Sequence, residues 1–287
     1  MRSTLPTGHT PYEALHSERE NAVTWLQVIV LAIVQGLTEF LPISSSGHLV
    51  LVPSAAGWSD QGLAFDVAVH FGSLLAVCVY FRDDIFALLR GSGQILTLNA
   101  QTPESRMALA IGIGTIPAAI AGLALAGWIE ANLRSPAVIV VTLSAYAIVM
   151  VLADRFGPRE RSVANVSILD AVVIGCAQAL ALIPGTSRSG VTISAARILG
   201  FDRRDAARFS FLLSAPVILL ATVYQMGKLI IGDVSVAWLQ FGIAALVSAF
   251  VAYLSIDFFM RFVSRIGLLP FALYRLVLAA VILYVLV

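Results

Sequence analysis

Long apolar runs joined by short polar connections make up most of this chain. The runs at 63–81, 107–127, 136–153, 209–231, 237–259 and 268–287 each hold roughly the 17–25 residues that cross a bilayer as a helix. They predict six transmembrane helices. Two further apolar stretches, 23–57 and 168–200, are broken near the middle by Pro, Gly and a serine-rich knot. Each half is too short to cross, so both read as re-entrant helix-loop-helix hairpins, whose irregular backbone is tolerated inside protein or beside water. The expected fold class is therefore all-α: a polytopic membrane protein with six transmembrane helices and two re-entrant hairpins.

Composition agrees with this pattern. The 287 residues are 59% hydrophobic and only 12% charged, with a mean hydropathy of +0.91, whereas a soluble domain carries about a quarter charged residues. The net charge of +1 leaves no basic footprint for nucleic acid, which is not expected as a partner. The arginines cluster at 82, 90 and 106, at 155, 159 and 161, at 197, 203, 204 and 208, and at 261 and 265; the alternate loops near 57–62, 128–135 and 232–236 offer only Arg134. Six spans with two returning hairpins put every cluster on one side, and the positive-inside rule makes that side cytoplasmic. The first hairpin then enters from outside and the second from inside. Residues 1–22, with Glu13, Glu18 and Glu20, read as a flexible polar tail ahead of a single membrane domain at 23–287. Cys78 and Cys176 fall in apolar segments and are expected to pack without a disulfide.

An internal comparison explains the opposed hairpins. A shift of 143 residues sets QGLTEFLPISSSGHLV (35–50) over QALALIPGTSRSGVTI (178–193), matching Gln35 with Gln178, Leu37 with Leu180, Ser44 with Ser187, Ser46 with Ser189 and Gly47 with Gly190. Three spans follow each copy, and an odd number turns the second copy upside down. The halves 23–162 and 163–287 thus read as an inverted-topology repeat, with the two knots expected to meet at the midplane as broken helices do in transporters. The small-residue run GIGTIPAAIAGLALAG (112–127) is expected to allow close helix packing, with a groove for a lipid tail as the alternative.

Charge within the hydrocarbon costs roughly 2.5–3.5 kcal/mol per residue on insertion scales, so polar residues there ask for a reason. Glu39, Arg188 and Arg275 are the clearest cases; Asp66, Asp257 and Arg275 read as charges near span ends that pair locally or reach the interface, and His70 as a satisfied core histidine. In the first knot Gln35 and Glu39 share a helix face, and Pro42 delivers Glu39 to the same loop as Ser44, Ser45 and Ser46. A short helix then begins, whose free N–H groups make an anion site, with His48 on its first turn. The second knot brings Arg188, a fork of donors suited to phosphate, among Ser187, Ser189 and Thr192. Together these form a site for a multiply charged anion. Glu39 and the Gln35 carbonyl would suffice for Mg²⁺ or Ca²⁺ shared with substrate phosphates. No zinc spacing and no Walker loop is present.

The pair QGLTEFLPISSSGH and PGTSRSGVT resembles the two signature motifs of the bacterial undecaprenyl-diphosphate phosphatase family, the bacitracin-resistance type. SFLLSAP (210–216) and PFALYR (270–275) are similar to family segments too, so the resemblance runs from about Val23 to the end. Gln35 stands where the acidic element also admits glutamate, which leaves Glu39 as its only carboxylate. The resemblance implies hydrolysis of undecaprenyl diphosphate to the monophosphate and inorganic phosphate. It implies a bacterial inner-membrane enzyme reached from the periplasmic side, recycling the carrier of peptidoglycan synthesis and conferring bacitracin resistance, with the bilayer and a polyprenyl diphosphate as partners and a homodimer admissible.

On this reading Arg188, the helix N-termini and a cation on Glu39 hold the diphosphate, and Ser45 attacks the terminal phosphorus with His48 as general base and acid. Gln35, Ser44, Ser46, Ser187, Ser189 and Thr192 are the expected substrate-binding groups. Attack by water activated by His48 is the competing version. A lipid or ion carrier remains the alternative from another class, since inverted repeats serve transport as well.

Overall fold

The computed structural model describes residues 24–59, 61–97, 101–232 and 236–287; the tail expected at 1–22 lies outside them. The first broken stretch forms α1 (Trp25–Thr38) and α2 (Ser45–Ala56), followed by α3 (Gly62–Tyr80), α4 (Arg82–Leu96), α5 (Pro103–Asn132) and α6 (Pro136–Phe156). The second forms α7 (Ile168–Ala179) and α8 (Arg188–Ile198), followed by α9 (Arg203–Ile231), α10 (Trp238–Ile266) and α11 (Leu269–Leu286). Among the described residues the only extended pairing is an isolated bridge between Arg161 and Phe201.

Six of these helices, α3, α5, α6, α9, α10 and α11, are long and apolar enough to cross a membrane, one for each expected span. The protein is a multi-pass helical membrane protein. The 14 residues of α1 extend only about 21 Å at ~1.5 Å per residue, short of a ~30 Å hydrocarbon core. By contrast α9 starts at Arg203, ahead of the apolar run, because Asp202 caps it through a 2.8 Å bond from the Asp205 N–H and its charged first turns need not lie in lipid. The segment after Phe81, expected as a charged connection, is helical instead. Asp83 and Asp84 in its first turn complement the helix dipole; Gly91 lies against the Glu104 backbone of α5, and Asp84 pairs with Arg208 of α9.

Packing crosses between the halves of the chain. α1 lies on α10 and α7 on α5, while α3 meets both α9 and α10, and α6 meets α11 and α8. Aromatic contacts carry the core up to the site: Phe40, just beyond α1, meets the ring of Phe211 at 5.3 Å, and Phe211 meets Phe259 at 5.7 Å. Leu123, Val141, Leu246 and Phe250 face outward, as a lipid-facing surface requires. The chain also meets itself at the two ends of α7–α8. Asp202 N–H donates to the Arg161 carbonyl at 3.1 Å, and Arg161 N–H to that of Gly200 at 3.0 Å. The Arg161 guanidinium grips Asp170 at 2.6 and 2.9 Å. Burial alone would raise the Asp170 carboxyl, but bonds from Arg161 and Ser167 hold it below its ordinary range.

The small-residue run of α5 has two uses. At Gly114 it touches Gly175 of α7 backbone to backbone, whereas Gly112, Gly122 and Gly127 have open space where a Cβ would stand. Gly175→Ala would drive its methyl into the Gly114 carbonyl, so it is expected to destabilise the fold by about 1–3 kcal/mol, the usual cost of overpacking. Gly122→Ala, in an open stretch of helix, is expected to be neutral or stabilising by up to ~1 kcal/mol. Thermal unfolding of both variants in detergent checks the contrast; an equal Tm for the two would contradict it.

Candidate active site

Each broken helix ends in a loop held by the same local device. α1 ends at Glu39, whose N–H donates to the Gln35 carbonyl at 3.0 Å, and the chain turns through Phe40–Ile43 to Ser44. Ser44 has φ 76° and its equivalent Ser187 has φ 70°. This region is unfavourable for a residue with a side chain, at about 1–3 kcal/mol each. Both serines cap the helix that follows: Gly47 N–H donates to Ser44 Oγ at 3.4 Å and Gly190 N–H to Ser187 Oγ at 3.2 Å. Ser44 and Ser46 hydroxyls lie 3.1 Å apart, and Ser187 and Ser189 hydroxyls 3.3 Å apart. The cap satisfies one first-turn N–H of each helix and leaves the others without intrahelical partners, the kind of terminus that favours an anion.

The two loops are bonded to one another. Gly185 N–H donates to Ser46 Oγ at 3.1 Å, and Ser189 Oγ donates to the Leu41 carbonyl at 3.1 Å. Gly185 sits at φ 88°, with Thr142 and the Ile139 backbone where a Cβ would go, so only glycine fits that turn. Thr142 Oγ1 holds the adjacent Pro184 carbonyl at 2.6 Å. Arg275 of α11, fully buried, donates to the Gly185 carbonyl at 2.8 Å and to that of Leu143 at 3.3 Å. The second loop is thus clamped from α6 and α11.

At the centre stand Arg188 and Glu39, with side chains 11% and 8% exposed and 3.3 Å apart, deep enough that their charges act nearly unscreened by water. Arg188 Nη1 also donates to the Ser210 carbonyl at 3.3 Å, its guanidinium lies 5.5 Å from the Phe40 ring centre, and its buried Nε has no partner. Glu39 Oε2 accepts from Gln35 Nε2 at 3.0 Å and from Ser45 Oγ at 2.9 Å. Ser45 and Ser46 then line a cavity of about 400 Å³ walled by Leu49, Trp58, His70 and Pro184 and reaching Arg134 in the loop after α5.

Two expectations change here. Ser45 pairs with Glu39 rather than with His48, because His48 folds back along its own helix. Its Nδ1 meets the Ser44 carbonyl at 2.7 Å, and its Nε2 meets the Tyr274 hydroxyl of α11 at 2.7 Å. A carbonyl only accepts, so Nδ1 carries the proton and the Nε2 lone pair is taken by Tyr274. Ser189 and Thr192, expected at the substrate, are fully buried braces; Thr192 Oγ1 bonds the Arg188 carbonyl at 2.8 Å and the Ser210 hydroxyl at 2.6 Å. Tyr274, Thr142 and the buried role of Arg275 escaped the sequence reading. A lone charge in the last apolar run was the available signal.

For a divalent cation the residues offer part of a shell. Three of the roughly four lone-pair sites of a carboxylate are used on Glu39, and the buried Gln35 Oε1 has no partner. Among the described residues no three His, Cys, Asp or Glu side chains gather as a metal cluster. One carboxylate and one orphaned amide oxygen fit Mg²⁺ or Ca²⁺ only when phosphate oxygens and water complete the sphere.

The fold and the site together define a class: a polytopic helical membrane protein that joins two broken-helix loops around a buried arginine, a carboxylate and a serine. Residues 28–281 match the family described as bacitracin resistance protein BacA, and the chain belongs to that family. It is 51% identical over 261 residues, 90% of this chain and 97% of the relative, to undecaprenyl-diphosphatase 2 of Stutzerimonas stutzeri. It is also 51% identical to the undecaprenyl-diphosphatase of Hahella chejuensis, over 90% of this chain and 97% of that one. The undecaprenyl-diphosphatase of Campylobacter curvus is 50% identical over 91% of this chain and 99% of its own.

Proposed function

We propose that the protein hydrolyses undecaprenyl diphosphate to undecaprenyl phosphate and inorganic phosphate at the paired loops. The observation that carries this reading is the chain of contacts from Arg188 through Glu39 to Ser45 at the wall of an open cavity. A binding site for an anion needs the arginine; it does not need a serine hydroxyl held by a carboxylate. Glu39 Oε2, at 2.9 Å from Ser45 Oγ, is within proton-transfer reach and takes the hydroxyl proton as Ser45 attacks the terminal phosphorus. Arg188 turns its fork to the phosphoryl oxygens, where charge builds in the transition state. The free N–H groups opening α2 and α8 add to the positive end that meets the phosphates. His48, locked between the Ser44 carbonyl and Tyr274, keeps the strained first loop in place. Gln35 and Glu39 would hold Mg²⁺ or Ca²⁺, which supplies further charge neutralisation at the diphosphate when bound.

The same reading extends to topology. The meeting of the chain at Arg161 and Gly200 supports a second hairpin that leaves the membrane where it entered. The paired strained serines and the crosswise packing of α1 on α10 and α7 on α5 support an inverted repeat of 23–162 on 163–287 within one membrane domain. Under that topology the cavity, bounded by Trp58 and Arg134 in loops away from the arginine clusters, opens to the periplasmic side. Recycling of the lipid carrier for peptidoglycan synthesis, and with it bacitracin resistance, follows from that activity.

Purified protein in detergent with undecaprenyl diphosphate tests the reading directly. Phosphate release is expected with Mg²⁺ or Ca²⁺ and is expected to fall by at least about tenfold on chelation, equivalent to ~1.4 kcal/mol of lost charge neutralisation. Binding of the lipid without release of phosphate would overturn it.

A further inference from the structure

The displacement described above leaves one proton unprovided for. Once Glu39 holds the Ser45 proton it can take no other, yet water must still lose a proton to cleave a phosphoseryl intermediate. His48 offers no open nitrogen. We propose, resting on the phosphatase reading, that His70 of α3 is the base that activates this water.

Three features single out His70 among the groups that line the cavity with Ser45. Its Nδ1 meets the Asp66 carbonyl at 2.7 Å, which places the proton on Nδ1 and the lone pair on Nε2. Nε2 takes no bond from any described residue, and the ring forms part of the cavity wall with Ser45 and Ser46. It also stands within electrostatic range of Glu39. The other charged groups there are already committed: Asp66 Oδ1 accepts from Gln61 at 3.1 Å, and Arg134 is a cation. An imidazole with one nitrogen tied and the other open is the arrangement of a general base.

The chemistry balances over two displacements. In the first, Ser45 Oγ bonds to the terminal phosphorus, the bridging P–O bond breaks, the hydroxyl proton passes to Glu39, and prenyl monophosphate leaves. In the second, water enters along the line vacated by the leaving group, as in-line displacement requires. Its oxygen bonds to phosphorus while His70 Nε2 takes one of its protons. The P–Oγ bond then breaks, Ser45 recovers the proton held by Glu39, and phosphate departs as His70 returns its proton to solvent.

The test uses full-length His70→Asn, whose side-chain amide preserves the donor to the Asp66 carbonyl, with prenyl diphosphate labelled in the terminal phosphate. Phosphate release is expected to fall about 10²- to 10³-fold, as for loss of a general base. Prenyl monophosphate should still appear in a burst of about one per enzyme, label should accumulate on Ser45, and added imidazole should restore turnover. A wild-type rate, or a loss with neither label on Ser45 nor rescue by imidazole, would overturn the assignment. Failure of the wild-type protein to release phosphate would instead sink the phosphatase reading beneath it.

Discussion

Ser45→Ala is expected to lower kcat for phosphate release by at least about 10⁴-fold, the order seen when a serine nucleophile is removed from an enzyme that depends on it. KM should change little, since Arg188 and the Glu39 carboxylate that would hold the diphosphate stay in place when the hydroxyl is removed. The fold should survive, because one partly accessible hydrogen bond is worth only about 1 kcal/mol. Steady-state kinetics in detergent, with Tm as a control, read both quantities. If Ser45→Ala retained most of kcat, water would attack phosphorus directly and the serine would serve only to hold Glu39. Ser46→Ala makes the comparison sharper. Its hydroxyl accepts the Gly185 N–H, so its loss orphans a buried donor at about 1–3 kcal/mol and should weaken stability more than chemistry.

Arg188→Ala is expected to act twice. Loss of the cation that meets the phosphoryl charge should cost about 10²- to 10³-fold in kcat, or ~2.7–4 kcal/mol. It also strands Glu39, whose side chain is only 8% exposed, as an unpaired buried carboxylate, and breaking such a pair costs about 3–5 kcal/mol of stability. The two effects separate in a double variant: Arg188→Ala with Glu39→Gln should regain much of the lost Tm and none of the activity. Arg188→Lys keeps the charge but not the fork that reaches Ser210 and Glu39 together, and should fall between wild type and Arg188→Ala in kcat. Full activity in the lysine variant would show that charge alone is required.

The reach of sequence reasoning followed the range of the interactions involved. Apolar length depends on neighbours along the chain, and all six long helices were visible in it. The union of the two serine-rich loops was visible as well, because both carry matching residues that make sense only together. What escaped depends on helix rotation and on partners far apart in the chain. Nothing local says that His48 turns back to its own Ser44 carbonyl, freeing Ser45 for Glu39, or that Tyr274, 226 positions away, waits on the other side of the ring. His70 looked like an ordinary core histidine because the cavity beside it is walled by α2, α3, α6 and three separate loops. Residues 82–96 were hidden for the opposite reason. Their charges resemble a connection, and only contact with α5 and α9 reveals a helix with one covered side.

The crosswise packing of α1 on α10 has a consequence for how the protein is made. About 230 residues of chain separate the end of α1 at Thr38 from the end of its covering helix at Ile266, and a ribosome adding about 5–20 residues per second needs roughly 11–46 s to supply them. Throughout that time the broken stretch of α1 and α2, with a glutamate, a glutamine and three serines about its loop, must wait beside the insertion machinery without its lasting neighbour. Biogenesis should therefore depend more on whatever shelters that nascent tip than on the final stability of the finished bundle.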